Sequence, residues 1–113
     1  MFDFVTKYTF SWPVKVRVPS LTEPGTHEEK TFTAQWEAQP KAELNAFQKD
    51  HPKGEAAALF EKALKGWSDI QVNGADFPFT PENVEALTTE QNIKVALVAS
   101  YWEAMGGLLI EKN

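Results

Sequence analysis

Two stretches of strict alternation constrain this chain more than anything else in it. Phe10, Trp12, Val14, Val16 and Val18 share one parity, while Ser11, Pro13, Lys15 and Arg17 take the other. Phe32, Ala34, Trp36 and Ala38 alternate in the same way with Thr31, Thr33, Gln35 and Glu37. Successive side chains of a strand point to opposite faces, so each stretch makes a strand with one apolar face. Separated by polar residues over 19–30, the two read as an antiparallel hairpin with a long loop. Pro13 has no N–H and fits an edge position, or the side of the ladder that makes no bond. A two-stranded hairpin is marginal on its own. Its apolar face therefore has to be covered, by helices or by another subunit.

The rest of the chain reads as helical. Pro40 suits the first turn of a short helix with Leu44 and Phe47 inward, and His51-Pro52 ends it because the residue before proline avoids the α region. Over 55–65, Ala56, Leu59, Phe60, Ala63 and Leu64 form one helical stripe. Gly66 then stands where a left-handed C-terminal cap belongs, after Lys62 and Lys65. Asn73-Gly74 is a strong turn signal, so Ile70-Gln71-Val72 and Phe77-Pro78-Phe79 make a short hairpin. Thr80 is a good N-cap, Pro81 a good first helical residue, and Glu82 complements the helix dipole. Val84 and Leu87 face inward on that helix. Thr88 with Gln91 fits a capping box, which starts a final helix near Thr89. This helix carries Ile93, Val95, Ala96, Leu97, Val98, Tyr101, Trp102 and Met105 around most of its circumference. Such breadth implies burial on more than one side, in the core or at a subunit interface. Gly106-Gly107 ends it.

The fold class is therefore α+β, an N-terminal antiparallel β-hairpin (about 7–38) followed by a mainly α-helical bundle (about 40–110). At 113 residues it is one domain, 1–113, with little core to spare. A net charge of −5 and scattered basic residues give no electrostatic reason to bind nucleic acid or an anionic membrane. Without cysteine there is no disulfide framework, thiol nucleophile or Cys metal site, which suits a reducing cytoplasm. Met1-Phe2-Asp3-Phe4-Val5 lacks a basic region and a long apolar core, so no signal peptide is expected. The apolar run from Ile93 to Ile110 is broken by Ser100, Glu103 and Gly106-Gly107, too short to span a bilayer.

Catalytic chemistry finds no support. His27, with Glu23, Glu28 and Glu29 nearby, reads as a solvated acidic loop, since no ligand spacing is present. His51 sits at a helix end where a cation is favoured. Gly66-Trp67-Ser68 lacks the strand and second glycine of a nucleophile elbow. Asp69 and Asp76 lie in turn chemistry. Gly25 and Gly74 are isolated, so no phosphate-cradling loop exists. The expectation is a non-enzyme without metal or cofactor.

Aromatic residues are the remaining surplus: four Trp, eight Phe and two Tyr. Trp12, Trp36, Trp67 and Trp102 do not all bury completely with ease in so small a domain, and partly exposed tryptophan is characteristic of binding surfaces. Protein-binding residues are therefore sought on the hairpin face (Trp12, Trp36) and the final helix (Trp102, Met105). Gly66, Trp67, Phe77, Phe79, Thr80 and Pro81 are read as structural: one stops a helix, two start the next, and the rings pin the crossing.

Phe10-Ser11-Trp12-Pro13-Val14-Lys15-Val16-Arg17-Val18-Pro19 and Lys30-Thr31-Phe32-Thr33-Ala34 resemble the amino-terminal hairpin of the tail assembly chaperones of long-tailed bacteriophages and prophages. Gly66-Trp67-Ser68, then Phe79-Thr80-Pro81-Glu82-Asn83-Val84, then Ala96-Leu97-Val98-Ala99-Ser100-Tyr101-Trp102-Glu103-Ala104 continue the resemblance in order, over almost the whole chain. The connection over 69–76 is short beside many relatives. The resemblance implies a non-enzymatic role in the bacterial cytoplasm. The implied protein binds the tape measure protein, helps tail-tube protein polymerise around it, forms homo-oligomers and leaves the finished tail. It also implies a longer frameshifted product. If the Glu111 codon ends in A and Lys112 is AAA, the messenger over Glu111-Lys112-Asn113 has a slippery run. Two other readings compete: a small structural tail or head–tail component, and an adaptor unrelated to morphogenesis.

Overall fold

The computed structural model describes residues 7–51 and 56–106. The readings placed on 1–5, Pro52, Glu55, Gly107, Ile110 and 111–113 lie outside the described residues.

The two alternating stretches pair as expected. Strand β1 (Thr9–Pro19) runs antiparallel to β2 (His27–Glu37), with Phe10 opposite Trp36, Trp12 opposite Ala34 and Val14 opposite Phe32. All six lie on one face. The connection is shorter than the sequence suggested, because Glu28, Glu29 and Lys30 extend the ladder opposite Val18, Arg17 and Val16. The turn over 20–26 is closed by Ser20, whose Oγ accepts from the Thr22 and Glu23 N–H groups, and by Gly25 at φ +87°. Asn92 Nδ2 donates to the Arg17 carbonyl at 3.2 Å, so that carbonyl points away from β2. Residues two apart in a strand share that direction. Pro13 and Pro19 thus put their missing N–H on the edge that makes no ladder bond, the position proline tolerates.

A plain hairpin followed by a helical bundle is not what forms. Helix α1 (Lys41–Asp50) and helix α2 (Ala56–Ala63) are followed by a third strand, β3 (Leu64–Ser68), which adds antiparallel to β2. The helical stripe ends at Ala63, and Gly66 is a buried strand residue opposite Gln35 instead of a helix cap. The register between Gln35 and Trp36 shifts where Lys65 is extra. Such a bulge changes side-chain parity. Leu64 and Trp67, three positions apart, can therefore both be buried. A Cβ on Gly66 would stand 2.7 Å from Gln35 Oε1, so the missing side chain leaves room for that glutamine. Local helix signals lost here to the larger burial available beside β2.

Strands β4 (Gln71–Val72) and β5 (Ala75–Asp76) form a small second sheet around Asn73 (φ +53°) and Gly74 (φ +82°), the two left-handed residues a tight hairpin turn needs. Helix α3 (Pro81–Thr89) starts as its sequence indicates: Thr80 Oγ1 accepts from the Asn83 N–H at 3.2 Å, and Pro81 is the first helical residue. The capping box does not form. Thr88 Oγ1 donates back to the Val84 carbonyl at 2.7 Å, and Glu90 precedes helix α4 (Gln91–Ala104).

Helix α4 packs on β1 and α3 packs on α4, with Leu59 and Phe60 of α2 joining the same core. Trp36, Tyr101, Leu97 and Val14 are its largest fully enclosed side chains. The Trp36 ring meets Tyr101 at 5.0 Å and Phe60 at 6.3 Å between centroids. Truncating a ring buried in this way costs about 3–5 kcal/mol. Among the described residues the indole Nε1 of Trp36 has no hydrogen-bond partner, nor has Oε1 of buried Gln39. Each such group costs about 1–3 kcal/mol. The apolar burial outweighs them.

Candidate protein-binding surface

The four proposed contact residues do not share one surface. Trp36 is fully enclosed, so it is a core residue and offers nothing to a partner. Trp12 is half-buried where β1 meets α4, its ring edge-on to Phe10 and its Nε1 donating to Glu103 Oε1 at 3.1 Å. That bond ties the strand to the end of the helix. Met105 is half-buried against the core. Trp102 differs: its ring is edge-on to Tyr101 at 5.2 Å, yet part of it lines an open groove.

This groove encloses about 460 Å³ and is lined by Ala56, Gln91, Lys94, Val95, Val98, Ala99 and Trp102. Ala56 comes from α2; spacings of three and four along α4 place the other six on one stripe. Val95 is 55% exposed, one of the most exposed large apolar residues described. The opposite stripe holds Leu97, Ser100 and Tyr101, all buried. Ser100 Oγ donates to the Leu97 carbonyl at 2.9 Å, so its hydroxyl is satisfied within the helix. Val95, Val98 and Ala99 were missed as site residues because a sequence shows that a helix is apolar all round without showing which side the sheet takes.

The other singled-out motif is architectural. Trp67 Nε1 donates to the Phe77 carbonyl at 2.6 Å, and its ring stacks on Phe77 at 5.8 Å and meets Phe79 edge-on at 4.9 Å. These contacts hold the β4–β5 hairpin against β3. Phe79 remains 39% exposed.

Tyr101 and Glu43, whose titration is shifted, are not among the residues lining the groove. Burial pushes the Tyr101 hydroxyl up to about 12, although a hydrogen bond with the Gln39 backbone works against that rise. Its Oη lies 3.3 Å from the Glu37 carbonyl. A hydrogen bond from Lys62 holds the Glu43 carboxyl below its ordinary value, with Lys7 adding to the effect. His27 lies on β2 opposite Pro19. Among the described residues no three His, Cys, Asp or Glu side chains gather in a way that would hold a metal. Among them, too, no helix is long and apolar enough to cross a membrane.

Compared with protein-family models, curated proteins and solved structures, the chain gives no match.

Proposed function

We propose that this protein is a non-enzymatic assembly chaperone of the phage or prophage tail type, holding the tape measure protein while tail-tube protein polymerises around it. The observation that supports the reading is the groove on α4. A small acidic domain keeps an apolar stripe of Val95, Val98, Ala99 and Trp102 facing outward after its own core is filled. An amphipathic helix laid in such a groove contributes apolar residues at i, i+3, i+4 and i+7. That is the form in which a long, partly apolar helical client would offer itself. The contact is small, which suits transient holding better than permanent assembly.

The test is co-expression with a phage tape measure protein. The soluble fraction of the client should rise several-fold, and the Val95→Glu variant should lose that gain while keeping the wild-type circular dichroism. No gain with the wild-type chain sinks the proposal. Recovery of the protein in finished tails would instead favour a structural component.

A further inference from the structure

The groove on α4 is uneven along its length. Toward Trp102 its floor is small and apolar, with Ala56 of α2 and Ala99 beside Val98. Toward the start of the helix the lining turns polar, with Gln91 and Lys94. Lys94 is the one charged side chain among the described residues that line it. It is half-buried and has no ion-pair partner among the described residues, Glu90 four positions earlier included. The protein around it carries a net charge of −5. An unpaired ammonium beside an exposed apolar stripe is therefore a local reversal of sign.

We propose that the groove selects an amphipathic helix with a carboxylate at one end of its apolar stripe, and that Lys94 recognises that carboxylate. The inference rests on the client-holding reading and names the chemistry of the client. The lengths fit one helical register. Lys94 and Trp102 are eight positions apart on α4, about 12 Å at a rise of about 1.5 Å per residue. Residues i and i+7 of a docked helix share a face and are about 10.5 Å apart. A large apolar residue at i beside Trp102 thus puts i+7 level with Lys94. An apolar residue at i+3 or i+4 falls on Val98 between them. Polarity follows as well. The amino-terminal end of α4, where Lys94 lies, carries partial positive charge and favours the partly negative carboxyl-terminal end of another helix. The docked helix runs antiparallel to α4, its apolar anchor first in sequence and its carboxylate second.

Two synthetic helical peptides provide the test, each with leucine at i and i+4 and either glutamate or lysine at i+7 on an otherwise neutral frame. Both carry the same fluorescent label, and anisotropy follows their binding to the full chain. At low salt the glutamate peptide should bind about three- to tenfold more tightly, the effect of exchanging one exposed repulsion for an attraction. The net charge of the protein favours the opposite order, so long-range attraction does not supply this preference. Lys94→Glu should reverse the order, and about 1 M salt should erase it in the wild type. Equal binding of the two peptides at low salt overturns the proposal, as does a glutamate preference that survives Lys94→Glu. Neither result bears on the co-expression gain, which tests the client-holding reading separately. Failure of both peptides to bind overturns the selectivity as well. Protein that self-associates on concentration and sheds bound peptide would assign the groove to a second copy instead.

Discussion

Helices α1 and α4 lie against the same core and differ in what they leave in water. Helix α1 buries Leu44, half-buries Phe47 and turns Lys41, Asn45, Gln48, Lys49 and Asp50 outward. Its ion pairs, Glu43 with Lys62 of α2 at 3.3 Å and with Lys7 at 3.6 Å, lie at the surface. Helix α4 encloses Leu97, Ser100 and Tyr101 and still presents Val95, Val98 and Ala99 on its far side. The first helix carries the apolar residues its packing needs. The second carries more, and the proposed function rests on that surplus.

The sharpest break of this comparison is a pair of truncations. Leu97 is fully enclosed between α4 and the sheet, whereas Leu44 anchors a helix that has little else in the core. Both leucines fall in the range of about 2–5 kcal/mol for buried leucine to alanine. Leu97→Ala should lie near the top of it, because packed neighbours on the sheet cannot close the cavity. Leu44→Ala should lie near the bottom, because α1 can settle inward. Urea unfolding of the two variants measures the difference. Equal losses, or a larger one at Leu44, would show that α1 is as integral as α4.

The next largest effect sharpens the buried side of α4. Tyr101 has its hydroxyl raised from an ordinary value of 10.0 to about 12. The folded state therefore holds this proton more tightly than the unfolded state. The associated stability is fully present below pH ~10 and is lost as pH rises toward ~12, amounting to about 2–3 kcal/mol. In Tyr101→Phe the titrating group is gone, so stability should stay flatter across that interval. A wild-type curve equally flat would mean that the hydroxyl is better hydrated than its enclosure implies.

The strands and their apolar face were legible because a period of two leaves no freedom about which residues point inward. The α3 start was legible for a similar reason: Thr80 and Pro81 act locally, through one hydrogen bond and one fixed φ. Gly66 was not, because a glycine after a helical stripe reads as a cap until a neighbouring strand is available to pair with it. Thr88 failed for a local reason: at the end of α3 its hydroxyl bonds the Val84 carbonyl one turn back in the same helix instead of capping α4. Trp36 and Trp102 illustrate the limit for sites. Composition counts surplus tryptophans, but only the packing of α4 on β1 decides that Trp36 is enclosed while Trp102 borders a groove.

The smallest expected effect tests the other side of the comparison. Glu43 titrates below its ordinary value because Lys62, and then Lys7, favour the carboxylate. Any stability this supplies is present above the unfolded-state value of 4.5 and is lost as pH falls through the lower folded-state value. The pairs are solvent-exposed, and holding three long side chains together opposes what the attraction gains. Glu43→Gln should therefore leave the unfolding midpoint at pH 7 and physiological salt unchanged within error, far less affected than in Leu44→Ala. If the glutamine variant instead loses as much as the alanine variant, and added salt abolishes the loss in the wild type, then charge holds α1 in place. The contrast between a helix held by one leucine and a helix with apolar surface to spare would then have to be redrawn.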